Sequence, residues 1–443
     1  MTDPPKLFGT DGVRGTAGDL VSAELAVALG HAAAEECEAE RPQVVIVRDT
    51  RESGPMLEAA LAAGIAQGGG DAWLAGVLPT PAASILVRRL GFDLAAAITA
   101  SHNPWRDNGI KLFGADGRKL ADPIEAAIEA RVATPSGDRS AAGVLGRVRS
   151  LEGARDDYLR ELASAFRVDL SGTRVVLDCA HGATYRAAPE IFARLGADVE
   201  AIGTDPDGRN INEGFGSTAP QAIAERVVGS QAAVGFAFDG DGDRVIAIDS
   251  TGSVRDGDEL LCVCAEHLRS SGRLDGGVAV TVMSNYGFHQ AMADAGVEVA
   301  TTPVGDRHVI AALAERGWTL GGEQSGHLIW TELGPTGDGI GAALLVMTAL
   351  AGRDLGAAVS MRKLPQLLRN VRVADRTAID DATQLRAAAE REGAALEGRG
   401  RVLIRPSGTE PLVRVMVEAP TEDECEAVCS RLVEVAELEL GRK

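Results

Sequence analysis

The order of apolar and polar segments repeats along this chain. Three times, a short apolar strand is followed by a helical stretch, a glycine-flanked second strand and then a further strand. The first strands of these repeats are QVVIVRDTR (43–51), TRVVLDCAHG (173–182) and GGVAVTVMSN (276–285). Strands that alternate with helices are typical of α/β layers on a largely parallel or mixed sheet. We therefore predict an α/β fold for most of the chain.

Each repeat ends its third strand in an unusual loop. The strands DLAAAI (93–98), AAVGFAF (232–238) and GWTL (317–320) lead into the loops TASHNP, DGDGDR and GGEQSGH, respectively. Ligands of open α/β sheets gather beyond the strand ends. Because the three loops occupy equivalent places in their repeats, we expect them to face one cleft.

The pattern changes near residue 368. A strand NVRVAD (370–375), a helix, a strand region broken at its glycine (400–419) and a final helix from Thr421 predict a separate α+β domain. The predicted domains are therefore residues 1–150, 151–250, 251–367 and 368–443.

Composition argues against two classes of partner. The chain has 44 Lys and Arg against 64 Asp and Glu, a net charge of −20, and only 4% aromatic residues, which disfavours nucleic acid binding. The longest plausible membrane span, 339–352, has 14 uncharged residues, fewer than the about 20 of a membrane helix, so we expect no membrane contact and a cytoplasmic location. The six cysteines form no CxxC pair and are interpreted as buried thiols.

The loop DGDGDR has the chemistry of a cation site. Asp239, Asp241 and Asp243 recur at every second position, and the glycines between them let the backbone curl so that the carboxylates converge. An all-oxygen site of this kind suits a hard ion such as Mg²⁺. The loop does not fit an EF-hand or a dinucleotide fingerprint. A solvated acidic turn is the alternative.

Ser101, in TASHNP, is the candidate phosphoryl carrier. In extended backbone, Ser101 and His102 would point apart, which disfavours a Ser-His hydrolase. A serine displayed at a strand end by the turn at Pro104 could instead face the metal and contribute a phosphoryl group as its fourth ligand. The alternative is a serine that satisfies the backbone of its own loop.

The segment RPSGTEP (405–411) predicts a phosphate cradle. It offers a guanidinium, two hydroxyls and exposed backbone N–H groups within five residues, near a second arginine. The candidate phosphate ligands are Arg405, Ser407, Gly408, Thr409 and Arg414. An ordinary hairpin turn would explain the serine and the glycine but not the arginines.

These motifs, together with LFGTDGVRG (7–15) and SGTEPLVRVMVE (407–418), resemble those of the α-D-phosphohexomutase family over the whole length of the chain. The likeness is greatest to the bacterial branch that acts on glucosamine phosphates. The resemblance implies three related α/β domains with mixed sheets and a C-terminal TBP-like α+β domain around one cleft. It also implies a phosphorylated Ser101 and one Mg²⁺ on Asp239, Asp241, Asp243 and Ser101.

The same resemblance implies a reaction. Glucosamine 6-phosphate and glucosamine 1-phosphate would interconvert through a 1,6-bisphosphate, supplying UDP-N-acetylglucosamine and cell-wall synthesis, with a hexose 1,6-bisphosphate as activator. Arg14, Lys111 and Arg244 would add positive potential, and Lys111 or His327 would carry protons. His102 would shape the serine loop. Glu323 and Ser325 would bind the sugar hydroxyls.

Three alternatives remain at this stage. A phosphoglucomutase or phosphomannomutase of the same family differs only in its sugar. A metal-dependent phosphatase of the haloacid-dehalogenase kind would use Asp239 as nucleophile and leave Ser101 without a role. A phosphosugar-binding protein would need neither the acidic triplet nor the serine. The expected partner is a phosphosugar, and a homodimer is left open.

Overall fold

The computed structural model describes residues 7–9, 11–134, 145–373, 379, 381–406 and 411–441. Two compact units make up the chain. The first comprises Met1–Met283 with Glu298–Val359, and the second comprises Ser284–Val297 with Ser360–Lys443.

Strands and helices alternate along most of the described chain. The strands are β1 (Val13–Thr16), β2 (Gln43–Arg48), β3 (Asp71–Val77), β4 (Leu94–Ile98), β5 (Asp107–Gly114), β6 (Val148–Ser150), β7 (Arg174–Asp178), β8 (Asp198–Ile202), β9 (Val234–Phe238), β10 (Val245–Asp249), β11 (Val254–Arg255), β12 (Val278–Thr281), β13 (Val299–Thr302), β14 (Leu320–Gly322), β15 (Leu328–Trp330), β16 (Gln366–Arg372), β17 (Arg401–Pro406) and β18 (Leu412–Glu418). The helices are α1 (Ala23–Glu36), α2 (Gly54–Gln67), α3 (Thr80–Leu90), α4 (Asp122–Ala133), α5 (Ala154–Ala165), α6 (Ala187–Arg194), α7 (Gln221–Ser230), α8 (Gly257–Ser270), α9 (Tyr286–Asp294), α10 (Asp306–Arg316), α11 (Gly339–Leu350), α12 (Leu355–Ala358), α13 (Thr383–Ala395) and α14 (Glu422–Leu440).

The first unit contains the threefold repeat. Its sheets have the orders β1-β5-β4-β2-β3-β6, β11-β10-β9-β7-β8 and β13-β12-β14-β15 among the described residues. In each sheet the first strand of the repeat lies between the third and the second, and all three are parallel: β4-β2-β3, β9-β7-β8 and β14-β12-β13. The strand that follows each third strand returns antiparallel to it, as β5, β10 and β15 do. The three motif loops are therefore the connections of three equivalent antiparallel pairs.

Burial explains why these third strands are apolar. Every residue of β4 and of β9 is buried, as expected for central strands that are covered on both faces of a sheet. The uncharged stretch 339–352 forms the buried helix α11, which begins at the Asp338 cap and ends at Ala351 in a left-handed conformation. Within the described part of the chain, none of the helices has both the length and the apolar character that crossing a bilayer requires.

The second unit is the predicted α+β region. Its sheet has the order β16-β18-β17 and is antiparallel throughout the described residues, with α13 and α14 packed on it. Strand β16 begins at Gln366, four residues before the predicted NVRVAD strand, because residues 366–369 pair with the end of β18. Helix α9 also belongs to this unit, where the Tyr286 N–H donates to the Glu418 carboxylate at 3.0 Å.

The predicted fold class is thus confirmed, whereas the exact domain boundaries stay predictions. The six cysteines form no disulfide among the described residues, and all are buried except the partly exposed Cys37. The buried-thiol interpretation therefore holds for five of them.

Candidate active site

The serine loop and the acidic loop meet at one contact. The Ser101 hydroxyl, just beyond β4, donates to Asp239 Oδ2, just beyond β9, at 2.6 Å. Both side chains are buried. The neighbouring Asp241 accepts a hydrogen bond at 2.7 Å from the hydroxyl of Thr80, the first residue of α3. The equivalent strand ends of the first two repeats therefore converge, as the loop positions predicted.

The backbone at Ser101 is left-handed, with φ of 53°. This conformation brings His102 Nδ1 to 3.3 Å from Ser101 Oγ, so the expectation that the two side chains point apart is wrong. The expectation assumed an extended backbone, which the turn replaces. Burial and then the charges of Arg244 and Arg14 lower the pKa of His102, so its imidazole is neutral near pH 7.

The three aspartates form the candidate metal centre. One oxygen from each of Asp239, Asp241 and Asp243 lies within 4.8 Å of the others, and all three residues are buried. Asp241 Oδ1 and Asp243 Oδ1 accept no hydrogen bond from any residue that the structure describes. Burial, and then the charges of Asp243 and Asp241, raise the pKa of Asp239 well above its ordinary value. Unsatisfied buried oxygens and a crowded negative charge are the features that a hard cation relieves, so these residues fit a Mg²⁺ site.

Lys111 neutralises part of this charge. It extends from β5 and is 1% exposed, with Nζ at 2.9 Å from Asp241 Oδ2, 3.4 Å from Asp243 Oδ2 and 3.1 Å from Asp11 Oδ2. Burial by itself lowers the pKa of Lys111, but these three carboxylates outweigh it and raise the pKa well above its ordinary value. Burial by itself raises the pKa of Asp243, but Lys111 and then His327 outweigh burial and lower this pKa well below its usual range. Lys111 is therefore an ammonium next to the acidic loop DGDGDR.

The two predicted arginines flank the same cluster. Arg14, on β1, forms an ion pair with Asp11. Arg244 donates its backbone N–H to Asp239 Oδ1 at 3.2 Å, and its guanidinium is partly exposed. The nearby carboxylates of Asp243, Asp239 and Glu323 outweigh the effect of burial and raise the pKa of Arg244.

His327 lies at the third motif loop and faces the acidic loop. Its Nδ1 is 3.8 Å from Asp243 Oδ1, and its Nε2 is 3.7 Å from Asp306 Oδ2. The Gly337 N–H donates to Nε2 at 3.2 Å. Burial alone lowers the pKa of His327, but Asp243 and then Asp306 raise it above its ordinary value. When the ring is neutral, Nε2 accepts the Gly337 N–H and the proton lies on Nδ1, on the side of Asp243.

The loop GGEQSGH of the third repeat opens into a cavity of about 600 Å³ in the first unit. Arg244, Glu323 and Ser325 are among its lining residues. One carboxylate oxygen of Glu323 accepts the Gly305 N–H at 3.1 Å, and Ser325 is exposed. The cavity is therefore polar where the sequence predicted contacts to sugar hydroxyls.

The predicted phosphate cradle lies in the second unit and is described only in part. Ser407, Gly408 and Thr409 lie outside the described residues. Arg405 on β17 pairs across the sheet with Arg414 on β18. Burial and then the positive charge of Arg414 lower the pKa of Arg405, so this pair concentrates positive charge at one place.

Four further residues complete the charge network and were not singled out from the sequence. Asp11 binds Lys111 and Lys119, and Lys119 also donates to Asp306 at 2.6 Å. Thr80 binds Asp241. Asp11 lies in LFGTDGVRG, and Asp306 begins α10 after the second strand of repeat three, so equivalence of position was the available signal.

Family models match nearly the whole chain in four consecutive segments. The descriptions are phosphoglucomutase/phosphomannomutase alpha/beta/alpha domain I at residues 5–138, domain II at 156–252, domain III at 256–370 and the C-terminal domain at 368–435. The order of the four segments is that of the motifs, and this agreement confirms the resemblance.

Individual relatives agree. The chain is 50% identical to a phosphoglucosamine mutase of Moorella thermoacetica over 97% of this chain and 99% of that protein. A phosphoglucomutase/phosphomannomutase family protein of Burkholderia thailandensis has the same fold, with a TM-score of 0.84, 24% identity and coverage of 98% of this chain and 97% of that one. An Aspergillus fumigatus N-acetylphosphoglucosamine mutase, solved with GlcNAc-6P and magnesium, has a TM-score of 0.70, 20% identity and coverage of 97% and 95%. The chain therefore belongs to the phosphoglucomutase/phosphomannomutase family, the α-D-phosphohexomutases.

Proposed function

We propose that this protein interconverts glucosamine 6-phosphate and glucosamine 1-phosphate, with Ser101 as the phosphoryl carrier. The observation that carries the proposal is the 2.6 Å contact between Ser101 Oγ and Asp239 in a buried cluster of three carboxylates. A phosphoserine there carries about −1.5 to −2 charge at neutral pH and adds oxygen ligands to a cation site. The 50% identity to a phosphoglucosamine mutase supports glucosamine phosphate as the substrate.

The cycle consists of two phosphoryl transfers. In the first, the bond between Ser101 Oγ and phosphorus breaks and the free hydroxyl of the sugar monophosphate bonds to that phosphorus; the hydroxyl proton passes to a base of the protein, and the released Ser101 Oγ gains a proton. The product is glucosamine 1,6-bisphosphate. After the sugar turns over, Ser101 Oγ bonds to the other phosphorus and loses its proton, and the released sugar oxygen gains one. A hexose 1,6-bisphosphate can charge an unphosphorylated Ser101 by the second of these steps.

Positive charge and proton transfer come from groups already near the serine. A bound Mg²⁺, held by Asp239, Asp241, Asp243 and a phosphoryl oxygen on Ser101, would offset the negative charge that develops on the transferring group. Lys111 and Arg244 add positive potential from the protein side, and Arg14 adds it from β1. His327 and Lys111 are the proposed proton carriers because both are buried next to the aspartates. His102 supports the serine through its 3.3 Å contact.

Substrate recognition is assigned to two groups of residues. Glu323 and Ser325 line the 600 Å³ cavity and would bind sugar hydroxyls in either orientation of the ring. We assign the phosphate that is not reacting to the cradle residues Arg405, Ser407, Gly408, Thr409 and Arg414. Arg405 and Arg414 support this assignment because two adjacent guanidiniums favour an anion.

The alternatives now differ in support. The family assignment gives no support to the phosphatase, which leaves Ser101 without a role, or to a binding protein without catalysis. Phosphoglucomutase and phosphomannomutase activities occur in the same family, and a comparison of kcat/KM for the three sugar phosphates distinguishes them from the proposed activity. A cytoplasmic location and a homodimer stay predictions.

The experiment compares wild type with Ser101→Ala. Turnover is measured with glucosamine, glucose and mannose 6-phosphates, with and without a hexose 1,6-bisphosphate, and peptide mass reports phosphate on Ser101. We expect glucosamine phosphate to have the highest kcat/KM, dephosphorylated enzyme to be almost inactive until bisphosphate is added, and Ser101→Ala to be inactive throughout. Wild-type turnover by Ser101→Ala would overturn the phosphoserine mechanism, and a higher kcat/KM for another sugar would overturn the substrate assignment.

A further inference from the structure

Two carbonyl oxygens of the serine loop each accept hydrogen bonds from the same pair of side chains. Arg51 Nη2 lies 2.9 Å from the carbonyl oxygens of both Ser101 and Asn103. Asn212 Nδ2 lies 2.9 Å from the Ser101 carbonyl oxygen and 3.2 Å from that of Asn103. The guanidinium and the amide thus form a clamp on the loop, which we call the carbonyl clamp.

The arginine side of the clamp is rigid. Arg51 follows β2 and is fully buried, and its Nε donates to Asp49 Oδ2 at 2.8 Å. The same carboxylate oxygen accepts the Thr99 hydroxyl at 2.7 Å, and the Ser101 N–H donates to the Thr99 hydroxyl oxygen at 2.9 Å. The loop is therefore held at its amide side and at its carbonyl side by one connected set of hydrogen bonds.

The asparagine side comes from the repeat that carries the aspartates. Asn212 lies between β8 and α7, and its backbone N–H donates to the Ala180 carbonyl oxygen at 2.9 Å. A Cβ atom at Gly240, within the acidic loop, would lie 2.6 Å from the Ser101 carbonyl oxygen and 2.7 Å from Asn212 Nδ2. The amide, the serine carbonyl and the acidic loop are therefore packed without room for a side chain.

The clamp acts on a strained residue. A serine with φ of 53° is unfavourable unless the surroundings hold it. This conformation sets the direction of the Ser101 carbonyl group into the clamp and places Oγ against Asp239. Loss of the clamp would let the peptide relax and move Oγ away from the aspartates. An error of about 1 Å in such a position can cost about 100-fold in rate.

We propose that Asn212 is a positioning residue for phosphoryl transfer, which holds Ser101 in its left-handed conformation from the second repeat while Arg51 holds it from the first. The inference rests on the proposed function, since it concerns the serine that carries the phosphoryl group. Asn212 does not react. It acts through the two carbonyl groups of the serine loop.

Two substitutions of Asn212 separate positioning from folding. Asn212→Asp keeps the shape but sets a carboxylate against two carbonyl oxygens, so it repels where the amide attracts. Asn212→Gly removes the amide and accepts the φ of 63° at this position. The matched control is Gln221→Glu, the same change from amide to carboxylate at an exposed position in the first turn of α7, where a negative charge is tolerated.

The measurements are the rate at which a hexose 1,6-bisphosphate phosphorylates Ser101, by peptide mass, together with kcat, KM for glucosamine 6-phosphate and the melting temperature. We expect Asn212→Asp to lower the phosphorylation rate and kcat about tenfold or more, with KM within about twofold of wild type, and Asn212→Gly to lower them less. Gln221→Glu should match wild type. A merely structural role would lower the melting temperature while folded enzyme kept its kcat.

Wild-type phosphorylation rates in Asn212→Asp would overturn the inference. If that variant does not fold, Asn212→Gly decides by the same rates, and wild-type values overturn the inference there. These failures differ from a failure of the proposed function, in which wild-type enzyme itself would acquire no phosphate on Ser101 from the bisphosphate.

Discussion

The backbone N–H of Gly337 donates a hydrogen bond to Nε2 of His327 at 3.2 Å. In the neutral imidazole, Nε2 accepts this bond and the proton lies on Nδ1, the atom that faces Asp243 at 3.8 Å. The segment before α11 therefore selects which nitrogen of the proposed proton carrier holds the proton.

Gly337→Ala should lower kcat strongly. A Cβ atom at Gly337 would lie 2.6 Å from two atoms of the His327 ring, so the ring must move. Gly334→Ala is the matched control, because its Cβ would meet nothing nearer than 3.7 Å among the described residues. Steady-state kinetics with glucosamine 6-phosphate should show kcat reduced at least about tenfold for Gly337→Ala and unchanged for Gly334→Ala. Equal kcat values in the two variants would contradict the role of His327.

Asp241→Asn should weaken metal binding while the protein stays folded. The substitution removes one charge from a buried carboxylate cluster, and Lys111 keeps its contacts to Asp243 and Asp11. Titration of metal-free protein with Mg²⁺ by calorimetry should show affinity reduced roughly 10- to 100-fold. The exposed Asp275, changed to Asn, is the control. A large fall in the melting temperature of metal-free Asp241→Asn would indicate that this residue has a structural role.

Asp338→Asn should change how stability depends on pH. Asp338 caps α11 and accepts hydrogen bonds from the Tyr158 hydroxyl at 3.0 and 2.9 Å, and burial raises its pKa from 3.8 to about 6. A raised carboxyl pKa means that the folded state favours the protonated form. The protonated Asp338 carboxyl therefore stabilises the folded state. This contribution is complete below about pH 3.8 and is lost as the pH rises through about 6.

The pH dependence is tested by measuring the free energy of unfolding of wild type and of Asp338→Asn at pH 4.5 and at pH 7.5. Between these values wild type should lose about 2 kcal/mol more than Asp338→Asn, which cannot ionise at this position. Only the difference between the two proteins is compared, because Asp11 and Asp243 have lowered pKa values and change stability in the opposite direction. Parallel curves for the two proteins would show that Asp338 is ionised across the whole range.

Arg405→Ala should weaken phosphate binding without a loss of stability. Arg405 faces the like charge of Arg414 across the sheet, so its removal relieves repulsion in the folded protein. A lost charged hydrogen bond of about 1.5 to 3 kcal/mol should raise KM about tenfold to a hundredfold and release more bisphosphate before the second transfer. Arg399→Ala, which removes an exposed arginine paired with Glu424, is the control. Wild-type KM and no bisphosphate release in Arg405→Ala would refute the cradle.

Local pattern was enough to predict the repeated layers and their loops. The apolar runs at 94–98 and 232–238 contain the buried strands β4 and β9, because a central strand must be apolar on both faces. The acidic triplet could also be predicted from the sequence, because three carboxylates at alternate positions of a glycine-containing loop converge through local backbone geometry. Apolar runs, charges and the residue types of a loop can be read from the sequence because they involve only neighbouring positions.

What only the tertiary structure decided concerns residues far apart in the chain. The third strand pairs with the first rather than the second in each repeat, and the following strand returns antiparallel, an arrangement that local periodicity does not specify. The left-handed Ser101, which turns His102 toward the hydroxyl, depends on Arg51 and Asn212, 50 and 111 positions away. Local propensity disfavours that conformation, so it exists because distant donors hold the loop carbonyls in place.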